Sequence, residues 1–226
     1  MSCCQPASYD VVFSEKRASK DLKRYRKKGP DNTTRLLLDA LKAEGVARQT
    51  LLDVGGGIGV AHHELLAAGA RSAVHIEAAE AYVRLAAEEV ERRGHAGRVQ
   101  FLHGDFVALA ADIQPADVVT LDRVICCYAD MAQLVTTSLA RTRRLYGVVF
   151  PRETRFVKIV AAWTNFLFRI RGNPFRFYIH SPHEIDRVIR RAGLSPRSER
   201  DTLMWRVAVY ERRPGSTESS EYASHR

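Results

Sequence analysis

With 226 residues, 46% hydrophobic and 27% charged, the chain has the length and apolar content for one large domain with a real core, which excludes global disorder. Its four cysteines fall as two adjacent pairs, Cys3-Cys4 and Cys126-Cys127, with no CxxC and no zinc-like histidine spacing, so neither a secreted disulfide framework nor a metal site is expected, and a reducing cytoplasm is the natural home. The formal charge of +9 is uneven: residues 1–30 carry +5 and residues 151–213 carry +8 around a central body of −3, a pattern that suits either an anionic partner or two well-solvated basic segments.

The opening MSCCQPASYD has no basic stretch followed by an apolar run, so no signal peptide is expected, and residues 1–13 read as loose. Ser14 to Lys28 reads as a basic helix or arm ended by Gly29-Pro30, which makes residues 1–30 an N-terminal appendage. Asp31-Asn32-Thr33-Thr34 offers helix caps, and Leu36, Leu37, Ala40 and Leu41 recur at helical spacing up to Gly45. Short apolar runs then alternate with helical segments. Strands are expected at Thr50–Val54, Ala73–Ile76, Val99–Leu102, Ala116–Leu121 and Gly147–Phe150. Helices are expected at Val60–Ala68, Ala81–Arg93 and Met131–Arg144, two of them stopped by Gly69 and Gly94.

The stretch Val157–Ile170 is apolar but broken by Lys158, Asn165 and Arg169, too short and too interrupted to span a bilayer. A further helix starts at Ser181-Pro182-His183-Glu184 and ends at Gly193. Pro196–Asp201 and Met204–Arg212 then read as an antiparallel strand pair. Residues 214–226 are polar and aperiodic, a disordered tail, and no internal repeat is evident. Strand and helix alternating at this rhythm predict an α/β, Rossmann-like doubly wound sheet, mostly parallel, over residues 31–213. Right-handed crossovers then place the C-terminal strand ends along one rim, where ligands bind.

The strongest local signal is Asp53-Val54-Gly55-Gly56-Gly57-Ile58-Gly59, between a predicted strand and a predicted helix. Glycines let a ligand approach bare main chain, and the following helix offers free N–H groups. The dinucleotide spacing G-x-G-x-x-G fails in both registers, which end at Val60 and His62. The pattern D-x-G-x-G-x-G resembles the first motif of class I S-adenosylmethionine-dependent methyltransferases, and the resemblance runs through most of residues 45–150.

By that resemblance Asp53, Gly55, Gly57, Gly59, Glu77, Asp105, Phe106 and Asp122 are expected at the S-adenosyl-L-methionine site, with Glu77 on the ribose and Asp105 on the adenine. Each acid also has a structural reading: Asp53 as a loop cap, Glu77 as a helix N-terminal acid, Asp105 as a turn residue and Asp122 as the partner of Arg123. Leu121–Tyr128 and Tyr178–Leu194 loosely resemble the magnesium-protoporphyrin O-methyltransferase group, but GGGIG and Cys126-Cys127 depart from its usual pattern.

Methyl transfer needs alignment and exclusion of water more than a dedicated triad, so no catalytic residue is singled out. Tyr128, Arg123, Cys126 and Cys127 after the fourth strand, and His180 or His183 before the last helix, are the candidates near the rim. His62 and His63 read as helix-surface residues, and the two cysteines as pocket fillers.

Phe156, Ile159, Val160, Trp163, Phe166, Leu167 and Ile170, fringed by Arg152, Arg155, Lys158, Arg169 and Arg171, mark a helix at about 152–172. It fits an amphipathic helix on the sheet edge, a lid over an anionic or aromatic acceptor, or a peripheral membrane contact. The leading expectation is a small-molecule methyltransferase. An RNA or protein methyltransferase using the basic flanks, and a non-catalytic cofactor-binding protein, are the alternatives.

Overall fold

The computed structural model describes residues 12–213. Of the loose start expected over residues 1–13, Val12 and Phe13 are described, and Phe13 packs edge-on against Tyr82 and Phe175 at 5.8 Å; the rest of it and the tail at 214–226 lie outside these residues. Seven strands form one sheet: β1 (Thr50–Val54), β2 (Ser72–Glu77), β3 (Val99–His103), β4 (Ala116–Asp122), β5 (Thr142–Pro151), β6 (Leu194–Asp201) and β7 (Trp205–Arg212). Their spatial order is β3-β2-β1-β4-β5-β7-β6, parallel through β5 and antiparallel at β7 and β6. The order reverses between β1 and β4, which is where such sheets open a crevice. The expected fold class and the antiparallel C-terminal pair are therefore what the chain adopts.

Helices cover both faces: α1 (Glu15–Lys28), α2 (Asn32–Ala43), α3 (Val60–Ala67), α4 (Glu80–Arg92), α5 (Phe106–Leu109), α6 (Met131–Ala140), α7 (Arg155–Ile170) and α8 (Pro182–Arg191). One apolar core joins Leu52, Val119, Leu121 and Val148 to Leu134 of α6 and Ile185 of α8. The other packs Leu37, Leu38 and Leu41 of α2 against Leu51, Val118 and Leu145. The helix predicted at Met131–Arg144 ends at Ala140, and Thr142 already belongs to β5. The sheet decides this boundary, because Thr142 pairs with Ala116 of β4 and Leu145 is wholly buried. Two short elements, α5 and the 3₁₀ turn Ile125–Cys127, have no periodicity to announce them.

The basic N-terminal segment is a docked helix of the domain. Ala18, Leu22 and Tyr25 of α1 are buried. Tyr25 donates its hydroxyl to Glu64 at 2.8 Å, and Tyr82 of α4 donates to Asp21 at 2.8 Å. The buried Glu89 receives Arg26, Arg92 and Arg93. Burial alone would push that carboxyl up, but the three guanidinium groups hold it well below the usual carboxylate range.

Gly147 sets how closely α2 approaches β5. A Cβ there would lie 2.9 Å from Leu37 Cδ1 and 3.3 Å from Leu41 Cδ1. Gly147→Val is therefore expected to overpack this contact and lower stability by about 1–3 kcal/mol, read from the urea midpoint. An unchanged midpoint would show that the leucines yield freely.

Candidate functional site

The turn from β1 into α3 is built from left-handed backbone. Gly55, Gly57 and Gly59 have φ of 61°, 57° and 81°, conformations that residues with a Cβ avoid. Gly56 N–H donates to the Ile76 carbonyl at 3.2 Å and Gly57 N–H to Glu77 Oε2 at 3.0 Å, so the loop leans on the end of β2. A Cβ on Gly57 would meet only the Tyr82 ring, at 3.7 Å, which leaves this stretch of main chain bare toward a cavity. That cavity, of about 550 Å³, opens at the switch point.

Gly55, Gly57, Glu77, Asp105, Phe106 and Asp122 all line it, with Arg123, Cys126 and Tyr128 on the same wall. Glu77 accepts the Ala79 N–H on Oε1 at 2.9 Å as well as Gly57 on Oε2, so each oxygen retains a lone pair. Asp105 caps α5 through the Val107 N–H at 3.0 Å and accepts the Tyr128 hydroxyl at 3.1 Å. Asp105 is thus the N-cap of α5 and Glu77 bonds the backbone just before α4, while both residues line the cavity.

Asp122 and Arg123 end β4 in a charged knot. Arg123 has φ of 63°, and its guanidinium donates to Asp122 at 2.9 Å, Asp31 at 2.8 Å and Thr34 at 2.9 Å. Asp31 also caps α2 through the Thr33 and Thr34 N–H groups. Burial pushes the Asp31 carboxyl up, but Arg123 and the Thr34 N–H outweigh it and hold it below the usual range. Burial pushes the Asp122 carboxyl up despite Arg123. Arg123 is thereby a positioning residue that ties the start of α2 to the rim, a role with no short-range signal in the sequence.

Other expected residues lie elsewhere. Asp53 and Gly59 are absent from the wall of the main cavity; Asp53 borders a smaller one of about 130 Å³ behind the loop. His180 bonds through Nε2 to the Tyr128 carbonyl at 2.9 Å, behind the wall. His62 and His63, expected on a helix surface, are fully buried, because α3 is apolar nearly all round and is covered by α1 and β2. Burial, and next the neighbouring His62, push His63 down to about 2. The Cys126 thiol is pushed up by its contact with Cys127 and by burial, which disfavours a thiolate there.

The far side of the cavity is roofed by Thr164 and Phe168 of α7 together with Phe175, Phe177 and Trp205. Asn165 donates to the Phe177 carbonyl and accepts its N–H, both at 2.8 Å, which fastens the segment after α7 to that helix. Phe175 and Phe177 sit outside any regular element, so no periodicity could have marked them as lining.

Residues 51–145 match the family model for a methyltransferase domain. No curated protein matches the chain. Among solved structures, the magnesium protoporphyrin IX methyltransferase from Synechocystis PCC 6803 with bound S-adenosylhomocysteine is 18% identical, with 90% of this chain and 100% of that one covered at a TM-score of 0.68. The same protein with bound S-adenosylmethionine is 15% identical, with 90% and 97% covered at 0.64. An O-methyltransferase family protein from Burkholderia thailandensis is 19% identical, with 90% and 64% covered at 0.64. The chain thus shares the fold of these methyltransferases, and residues 51–145, which contain the glycine loop, match the methyltransferase domain model.

Replacing Arg123 with Gln should leave Asp122 without its cation and Asp31 with only Arg24, 3.5 Å away. The expected loss is about 1–3 kcal/mol in urea denaturation, below the value for a fully enclosed pair because Arg123 keeps partial access to water. The Asp31 contribution is present in the wild type above the carboxylate's unfolded pKa of about 3.9 and fades as pH falls through its lower folded value, so the gap between the two proteins should narrow in acid.

Proposed function

We propose that the methyltransferase domain carried by residues 51–145 binds S-adenosylmethionine in the switch-point cavity and directs its methyl group to a small, aromatic or apolar acceptor bearing an anionic group. The observation that carries this reading is the continuity of one cavity from the glycine loop and the strand-end acids to the aromatic roof under α7. The residues fit the cofactor: at Gly57 the main chain is bare where a ligand must approach, and Glu77 faces the same space with lone pairs to spare for a ribose diol. The cofactor, when bound, supplies an electrophilic methyl group on a sulfonium.

The chain's own contribution is binding, orientation and dryness. Glu77 would accept ribose hydroxyls, Asp105 and Phe106 would hold the adenine, and Asp122 with Gly55 would border the methionine end. Phe168, Phe175 and Phe177 would stack on a flat acceptor and exclude water, while Arg17 and Arg24 of α1, on the cavity rim, would favour its anionic group. An anionic oxygen needs no base for in-line attack. Tyr128, whose hydroxyl donates to Asp105, would border the adenine end beside it.

An enclosed roof favours a small acceptor over RNA or protein. Arg26 of α1 is engaged by Glu89 and so is not free for a polyanion. Among the described residues no helix is long and apolar enough to cross a membrane. The outer face of α7 nonetheless exposes Phe156, Ile159, Trp163, Phe166 and Ile170 at spacings of three and four, fringed by Arg155, Arg169 and Arg171. This is the form of a helix that lies in an anionic membrane interface, where apolar acceptors concentrate.

Incubation with isotopically labelled S-adenosylmethionine and cell extract should place the label in the low-molecular-mass fraction; label in RNA or protein would overturn the acceptor class. Glu77→Ala should weaken cofactor binding by about 1–3 kcal/mol in calorimetry with the fold intact. Wild-type protein should pellet with vesicles rich in phosphatidylserine, less so in high salt, and a Trp163→Glu, Phe166→Glu double variant should stay in the supernatant.

A further inference from the structure

Directly beneath the glycine loop, on the side away from the cavity, three metal-ligating side chains converge. Asp53 of β1 and His75 of β2 are register partners on adjacent parallel strands, and His62 comes down from the first turn of α3. All three are buried, at 1%, 0% and 0% exposure. The two imidazoles point Nδ1 at each other across 3.2 Å, and these atoms lie 3.4 Å (His62) and 3.9 Å (His75) from Asp53 Oδ2.

A single imidazole proton bridging the two Nδ1 atoms would leave the carboxylate unserved, and Asp53 Oδ2 has no hydrogen-bond partner. Its other oxygen, Oδ1, accepts the Thr120 hydroxyl at 2.8 Å, which holds the carboxylate in a fixed orientation. Among the described residues no lysine or arginine pairs with Asp53, so a carboxylate is enclosed with only imidazoles beside it.

We propose that Asp53, His62 and His75 form a binding site for one divalent transition-metal ion, zinc by its donor set. Four-coordinate zinc, with bonds of about 2.0–2.1 Å to imidazole nitrogen and carboxylate oxygen, holds its ligand atoms about 3.3–3.4 Å apart. Two of the three separations here meet that figure and the third exceeds it by about half an ångström, so an ion would draw the three atoms slightly together. Two imidazoles and a carboxylate suit zinc over calcium or magnesium, which take mostly oxygen. The Thr120 hydroxyl supplies the outer contact that orients a ligating carboxylate.

The ion's place would be structural. A Cβ on Gly56 would fall 2.5 Å from His75 Nδ1 and 2.6 Å from Asp53 Oδ2, so the loop rests on the cluster and a metal would stiffen its floor. His63 meets His62 edge-on with ring centroids 4.3 Å apart but is stacked on Tyr25 and is not one of the three converging ligands, so it serves as the control.

Elemental analysis of the full chain, expressed with zinc and dialysed against chelator-free buffer, should find about one zinc per protein. Cobalt incorporated in its place should give the intense visible absorption of a tetrahedral N/O site. The thermal midpoint should fall by several degrees on stripping and return with zinc. Folded His62→Gln and His75→Gln should lose the metal, whereas His63→Gln should keep it. A folded wild type that holds less than about a tenth of an equivalent and whose midpoint ignores zinc would overturn the site, as would zinc retained in folded His62→Gln and His75→Gln. Should those variants not fold, the wild-type stoichiometry, cobalt spectrum and midpoint decide by themselves.

Discussion

The structure depends on a stretch of main chain that has no room for side chains on either side. Between β1 and α3 the loop is pressed from below by His75, Asp53 and His62, so that Gly56 and Gly59 have no space for a Cβ. From above, Gly57 faces the cavity, and its N–H is held by Glu77. The three left-handed glycines make the turn tight enough to satisfy both boundaries. Binding geometry and core packing are therefore the same constraint seen from two sides. This is why the loop cannot drift toward or away from the strand ends that carry Glu77 and Asp105.

A second constraint joins the N-terminal helices to that rim. Part of the charge that looked free in the sequence is committed. Arg123 gathers Asp31, Thr34 and Asp122, and Glu89 gathers Arg26, Arg92 and Arg93. Each cluster ties elements far apart in the chain. The positive φ of Arg123 belongs to the same arrangement, because the backbone must turn sharply at the end of β4 for the guanidinium to reach α2.

The roof helix α7 works on two faces. Val157 and Ala161 are buried and Thr164 and Phe168 face the cavity, while the outward stripe from Phe156 to Ile170 stays in water. A helix apolar on nearly every side is ordinarily enclosed. One that exposes an apolar stripe beside basic residues has the form of an interfacial helix.

The strand and helix order, the doubly wound sheet and the rim positions of Gly55, Gly57, Glu77 and Asp105 were legible because they rest on local signals. Apolar runs of fixed period, glycine stops and a glycine-rich turn after a strand depend on neighbours within a few residues. The end of α6 at Ala140, the burial of His62 and His63, and the engagement of Arg123 by Asp31 were not legible. Each is decided by a partner dozens of residues away: β4 claims Thr142 and Leu145, α1 and β2 cover α3, and the start of α2 supplies the acid. Periodicity tells a chain which face of a helix is apolar. Only the tertiary structure decides which polar side chains on that face are taken out of water, because burial is a property of what packs against them.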